Sequence, residues 1–166
     1  MKRMAKTSQK VYIGLGSNLG NRNANIDAAI DMIGGHPQIE IISTSKRYET
    51  RALIKPGLSP QPDYINSAIG IETSLSPQQL LLFLLETESG LGRKYPRVSG
   101  APRNIDLDIL LFGKLVLAEK NLQIPHPELH KRMFVLLPLC DIASAEIHPV
   151  VKKTIAELMK GLKENV

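Results

Sequence analysis

The sequence predicts an α+β fold: a βαββαβ sandwich on an antiparallel sheet, with C-terminal additions. Three observations predict it. Residues 11–16, 39–48, 64–73 and 105–112 carry the alternating or β-rich apolar pattern of strands. Residues 26–33 and 77–90 carry helical patterns, and they fall between the first and second and between the third and fourth of those strands. No composition shift or linker divides the chain, whose 166 residues suit one domain with a sizeable core.

Residues 1–10 hold Lys2, Arg3, Lys6 and Lys10 with no apolar run behind them. That is not a signal peptide, and a disordered basic tail is expected there, ahead of a single domain over 11–166. The first strand runs from Val11 to Gly16, and a Gly/Asn-rich turn follows it. Ile26, Ala29, Ile30 and Ile33 then follow the i, i+3, i+4, i+7 spacing of an amphipathic helix, stopped by Gly34, Gly35 and Pro37. The turn lacks the Gly-Lys-Ser/Thr ending of a phosphate loop and misses the Gly-x-Gly-x-x-Gly spacing. It reads as a tight connection in which Ser17 and Asn18 satisfy backbone groups near a site.

Residues 39–48 are β-rich, and 50–63 form a loop with four punctuating residues, Pro56, Gly57, Pro60 and Pro62. In the strand over 64–73, Ile65, Ser67, Ile69 and Ile71 share one face, and Asn66, Ala68, Gly70 and Glu72 the other. Asn66 is then a lone amide among small side chains, able to donate and accept toward a flat ligand, or else to close a local turn. Ser76, Pro77 and Gln79 make a capping box at the start of a second helix. The run from Leu80 to Leu85 marks it as largely buried, and Gly90 as its C-cap. Glu86 and Glu88 sit at the end where the macrodipole disfavours acids, so an acid there calls for a partner or ligand.

The next strand starts at Ile105. Its alternation puts Ile105, Leu107, Ile109 and Leu111 on one face and Asp106 and Asp108 on the other, roughly 7 Å apart. Two carboxylates on an apolar strand repel each other and cost desolvation, unless the strand is a polar-faced edge with both acids solvated. A divalent cation removes both penalties, and oxygen-only ligation suits Mg²⁺. The stretch from Gly92 to Arg103 before it carries Arg93, Lys94, Arg97 and Arg103. It is either a solvated basic loop or a flap over a phosphate site. Beyond the strand, Gly113-Lys114 turns into residues 115–118, and Pro125-His126-Pro127 is rigid and extended. Helix is expected over 128–142, broken near Pro138, and again over 151–162.

Composition narrows the function classes. No apolar run approaches the ~20 residues of a membrane span. The single cysteine, Cys140, cannot form an internal disulfide and suits a reducing, cytoplasmic compartment. A net charge of +5 suits a polyanionic small molecule or nucleic acid. Four Tyr, three Phe and no Trp make a thin stacking surface for single strands.

The stretch Pro102-Arg103-Asn104-Ile105-Asp106-Leu107-Asp108-Ile109-Leu110-Leu111, about ten residues after Gly92-Arg93, resembles the signature of the 6-hydroxymethyl-7,8-dihydropterin pyrophosphokinase family. The segments Tyr12-Ile13-Gly14-Leu15-Gly16-Ser17-Asn18-Leu19-Gly20, Gln61-Pro62-Asp63-Tyr64-Ile65-Asn66, Ile124-Pro125-His126-Pro127 and Arg132-Met133-Phe134 resemble other parts of it, in the family's order. The resemblance implies a ferredoxin-like sandwich and a transfer of pyrophosphate from ATP to the pterin alcohol, releasing AMP, within folate biosynthesis. It implies two Mg²⁺ ions on Asp106 and Asp108, and Arg93 and Arg103 gripping phosphates as catalytic groups. Asn66 would bond the pterin, Tyr64 and Phe134 would sandwich its ring, and Thr50 and Leu53 would line the pocket. Glu88, Arg93, Arg103, Ile109, His126 and Arg132 would contact ATP. Partners would be small molecules alone, with no nucleic acid or membrane, and the chain a monomer.

The chain departs from the family pattern at Gly100-Ala101 and Tyr95, and in a longer loop after Thr50. Two other classes use the same features. A metal-dependent phosphodiesterase or nuclease would turn over polynucleotides without a pterin. A nucleotide- or RNA-binding domain would keep its function without the two acids.

Overall fold

Strand β1 (Gln9–Ser17) is the axis of the molecule, and its alternation divides the interior in two. The structure is a computed structural model and describes residues 7–52, 56–57, 59–93 and 101–164. Val11, Ile13 and Leu15 point to one face and join a core with Ile26, Ala29, Ile33, Leu80 and Leu84. Those partners come from helices α1 (Arg22–Gly34) and α2 (Pro77–Gly90). Tyr12, Gly14 and Gly16 alternate with them and point to the other face. There Tyr12 meets a second core with Leu129, Leu136, Leu139 and Ile155.

The sheet is antiparallel throughout. Its order is β2 (Ile39–Thr44), β4 (Tyr64–Thr73), β1, β5 (Asp106–Phe112), and β3 (Tyr48–Thr50) also pairs with β4. The segment read as one β-rich run over 39–48 is thus two strands. Between them Ser45 turns its hydroxyl to the Lys46 carbonyl (2.6 Å) and accepts from the Ala68 amide (2.8 Å). A small second sheet joins β6 (Leu117–Ala118) to β7 (Gln123–Ile124). The sheet also reaches further into the expected tail than composition suggested. Gln9 and Lys10 open β1, paired with Thr73 and Glu72.

Helix starts follow local chemistry. Asn21 caps α1 by accepting from the Ala24 amide at 3.1 Å. Ser76 and Gln79 form the expected capping box on α2, at 3.1 and 2.9 Å. Such caps are worth about 1 kcal/mol each. The expectation that α2 is largely buried is corrected: Leu82 is 58% exposed, because α2 lies on one face of the sheet and needs only one apolar stripe. Gly90 is the last helical residue, and the C-cap is Leu91.

A β-bulge corrects the expected alternation of β5. The register with β1 shifts between Tyr12 and Ile13, so Ile13 faces Ile109 while Tyr12 faces Leu111. The extra residue, Leu110, turns the strand over. Leu111 therefore leaves the face of Ile105, Leu107 and Ile109 and packs with Tyr12, while Phe112 returns to the helix side.

The C-terminal elements cover the second face. A 3₁₀ turn (Leu129–Lys131) leads into α3 (Met133–Ala143), and α4 (Ile155–Glu164) packs beside it. Pro138 does not break α3. It is buried, and packing against the sheet outweighs the hydrogen bond it forgoes. The last helix begins at Ile155 rather than at residue 151, after an isolated bridge between Ile147 and Thr154. The Ile124–Pro125 peptide is cis.

Candidate active site

The site follows from three strands in register. Gly16 of β1 stands opposite Asn66 of β4 and opposite Asp106 of β5. One row across the second face therefore reads amide, glycine, carboxylate, with the outer two backbones about 10 Å apart. One step along, Gly14 stands between Ala68 and Asp108. The glycines are what leave room. A Cβ on Gly16 would lie 3.0 Å from Asn66 Oδ1, and one on Gly14 3.4 Å from the Leu110 side chain.

Over this floor lies a cavity of about 280 Å³, close to the lower end of ligand-site volumes. Arg103, Asp106, Asp108, His126 and Arg132 line it, together with Thr50, Tyr64, Asn66 and Phe134. All nine of these residues are candidates from the sequence, and the fold brings them to one cavity.

The cationic side is tightly wired. Arg93 donates to Asp106 Oδ1 at 2.7 Å and to Glu88, which is fully buried. Glu88 also accepts from the Leu107 amide at 3.1 Å, tying the end of α2 to β5. Arg103 approaches the other Asp106 oxygen at 3.3 Å. Charge-assisted bonds of this kind are the strong ones in a partly dry setting.

Asn66 Nδ2 donates to Thr50 Oγ1 at 2.6 Å, and Asn66 is 8% exposed. Burial raises the Tyr64 phenol above its ordinary pKa, so the ring stays neutral and apolar. The Arg132 guanidinium lies 5.6 Å over the Phe134 ring. His126 accepts from the Glu128 amide on Nδ1 at 3.1 Å. Burial first and Arg132 second push its pKa down, so the imidazole is neutral with its proton on Nε2.

Three of the expected residues among those described, Glu88, Arg93 and Ile109, do not line this cavity. Glu88 is fully buried and paired with Arg93. Ile109 faces a neighbouring shallow hollow across the strand, which it shares with Asp108, Leu122 and His126. Leu53 lies outside the described residues, as does residues 94–100 of the expected flap. Arg51 and Gln61 line the cavity and were not singled out as candidates. Nor were Gly14 and Gly16, although a strand that alternates large apolar residues with glycine signals a floor kept clear.

The donor set suits a hard cation. Asp106 and Asp108 offer carboxylate oxygens on one wall of the cavity. Among the described residues no group of three or more His, Cys, Asp or Glu could hold a metal alone. One or two carboxylates completed by water and substrate phosphates is how Mg²⁺ is usually bound, and the residues present fit it.

Fold and site together suit a small-molecule enzyme of mixed α/β architecture, with one cavity lined by carboxylates, guanidinium groups, an amide and aromatic rings. A family model described as 7,8-dihydro-6-hydroxymethylpterin-pyrophosphokinase (HPPK) matches residues 12–144. The 2-amino-4-hydroxy-6-hydroxymethyldihydropteridine pyrophosphokinase of Aquifex aeolicus is 42% identical over 147 residues, 89% of this chain and 88% of that one. The bifunctional protein FolKE of Lactococcus lactis subsp. cremoris is 35% identical over 94% of this chain, which spans 44% of that relative. A crystal structure of Plasmodium falciparum HPPK-DHPS superposes with a TM-score of 0.76 over 98% of this chain and 47% of that one. At 16% identity, this likeness speaks for the fold alone. The chain belongs to the 7,8-dihydro-6-hydroxymethylpterin-pyrophosphokinase family.

Proposed function

We propose that this protein transfers pyrophosphate from ATP to 6-hydroxymethyl-7,8-dihydropterin, releasing AMP, as a step of folate biosynthesis. The observation that carries the reading is the row Asn66, Gly16, Asp106, which sets a flat-ligand amide and a phosphate-side carboxylate across one cavity in a member of this family. The strand order supports the ferredoxin-like description, with α3 and α4 as the additions. In this reading the chain acts as a single domain over 11–166 and as a monomer. No helix among the described residues is long and apolar enough to cross a membrane. The cytoplasmic assignment rests on the lone Cys140.

In this reading Asn66, oriented by Thr50, bonds the pterin edge, and Tyr64 and Phe134 flank the ring. Thr50 closes the pocket beside them. Arg103 and Arg132 take phosphate oxygens through their planar forks, and neutral His126 donates from Nε2. Ile109 lines the hollow where the nucleoside extends past the strand edge. Glu88 acts on ATP through Arg93, which it holds in place. When bound on Asp106 and Asp108, two Mg²⁺ ions supply charge neutralisation for the triphosphate. As Arg103 leaves Asp106 for phosphate, positive charge follows the group that moves.

The pterin end of the cavity disfavours a nuclease, and the paired acids disfavour a simple nucleotide or RNA binder. The test is ATP consumption with and without the pterin alcohol, and with a polynucleotide in its place. Pterin-dependent AMP release is expected; polynucleotide cleavage without pterin would favour the nuclease.

A further inference from the structure

Asn18 sits at the root of both halves of the site, and it is fully buried. Its backbone amide donates to the Arg103 carbonyl at 3.2 Å, and its Oδ1 accepts from the Arg103 amide at 2.9 Å. Its Nδ2 donates in the opposite direction, to Gln61 Oε1 at 3.1 Å and to the Pro62 carbonyl at 3.2 Å. One side chain thus spends its acceptor on the phosphate-side segment and both donors on the pterin-side segment.

The post itself is rigid. Asn25 Nδ2 braces the turn through Ser17 Oγ (3.2 Å) and the Leu19 carbonyl (2.8 Å). Gly20 holds φ +68, a conformation that suits glycine. The pterin-side segment has a second tether, since Arg22 donates to the Asp63 carbonyl at 2.8 Å. Tyr64 follows directly and opens β4. Arg103 therefore hangs from a fixed point whose other arms hold the entry to Tyr64 and Asn66.

We infer that Asn18 is a positioning residue, one that holds the Arg103 segment and the Gln61–Pro62 segment at a fixed mutual distance. Its kinetic consequence rests on the function proposed above. In a two-substrate transfer the electrophilic and nucleophilic ends must meet within a narrow geometry, and a displacement near 1 Å costs on the order of 10²-fold. Asn18 touches neither substrate; it acts by setting where Arg103 stands relative to the pterin end.

Two measurements test this. Amide hydrogen exchange at Arg103 reads the clamp without any substrate, in wild type and in Gln61→Leu and Gln61→Glu. Faster exchange in Gln61→Leu, with protection kept in Gln61→Glu (which still accepts from Asn18), supports the clamp. Unchanged protection in Gln61→Leu overturns it, whatever the enzyme turns over. The second is a kinetic cycle of Asn18→Ala, Arg103→Ala and the double variant. We expect Asn18→Ala to lower kcat at least about tenfold, and the double variant to resemble Arg103→Ala alone, because residues acting through one another are not additive. Losses that multiply would overturn the inference. If Asn18→Ala does not fold, the same cycle runs on Gln61→Leu with the same two outcomes. Wild type that makes no AMP sinks the proposed function and leaves the exchange result to decide the clamp.

Discussion

Arg93 bridges two carboxylates at once, Asp106 at 2.7 Å and the wholly buried Glu88. A site arginine is thereby part of the scaffold that joins α2 to β5. Removing the cation from such a cluster is costly, on the order of 3–5 kcal/mol. Arg93→Ala should therefore lose stability as well as activity. Urea unfolding checks it; an unchanged midpoint would mean that Glu88 does not depend on Arg93.

At Asp106 the structure also changes the expectation. As a like-charge neighbour of Asp108 it would relax when neutralised. But its two oxygens face Arg93 and Arg103 at 2.7 and 3.3 Å. Asp106→Asn should leave two guanidinium groups near each other and cost roughly 1–3 kcal/mol. Thermal melts of the metal-free variant check the sign. Asp106→Asn and Asp108→Asn should both lose most activity.

Thr50 orients the amide that the pterin would meet. Thr50→Val removes the acceptor and keeps the shape. Asn66 then loses its fixed orientation, at about 1–2 kcal/mol or roughly five- to thirtyfold in pterin KM. Steady-state kinetics should show this rise with the ATP KM little changed.

His148 gives the fold a pH dependence of definite sign. It is 4% exposed, and its Nδ1 accepts from the Val150 and Val151 amides at 3.2 and 3.1 Å. Burial first, and then His130 at a ring distance of 5.5 Å, lower its pKa from 6.5. The unfolded chain binds the proton more readily, so the contribution is complete above about 6.5 and is lost as the pH falls below it. His126 has the same sign. His148→Gln should flatten the fall in stability between pH 7 and pH 5 relative to wild type, as measured by denaturant melts.

Much of this was legible because local rules and tertiary packing agree. The β1 and β4 alternations, the Ser76 capping box and the paired acids on β5 each follow from spacing alone. The misreadings arise where distant contacts decide. The bulge at Leu110 depends on β1 across the ladder, and no periodicity within β5 announces it. Pro138 is a helix breaker by rule, yet the buried face of α3 carries the helix through it. Glu88 was readable as an acid in want of a partner, but that the partner is Arg93 follows from the return of the chain into β5. Asn18 was readable as a site-adjacent turn residue; its reach to Gln61 and Arg103 spans loops far apart in sequence.

The central claim concerns which phosphorus is attacked, and one measurement reads it directly. ATP carrying ¹⁸O in the bridge between the α- and β-phosphorus is incubated with Mg²⁺, 6-hydroxymethyl-7,8-dihydropterin and the protein, and the products are analysed by mass. Attack of the pterin hydroxyl at the β-phosphorus gives AMP that keeps the bridging label, together with a pterin diphosphate without it. ADP with a pterin monophosphate, or AMP that has lost the label, would contradict the account.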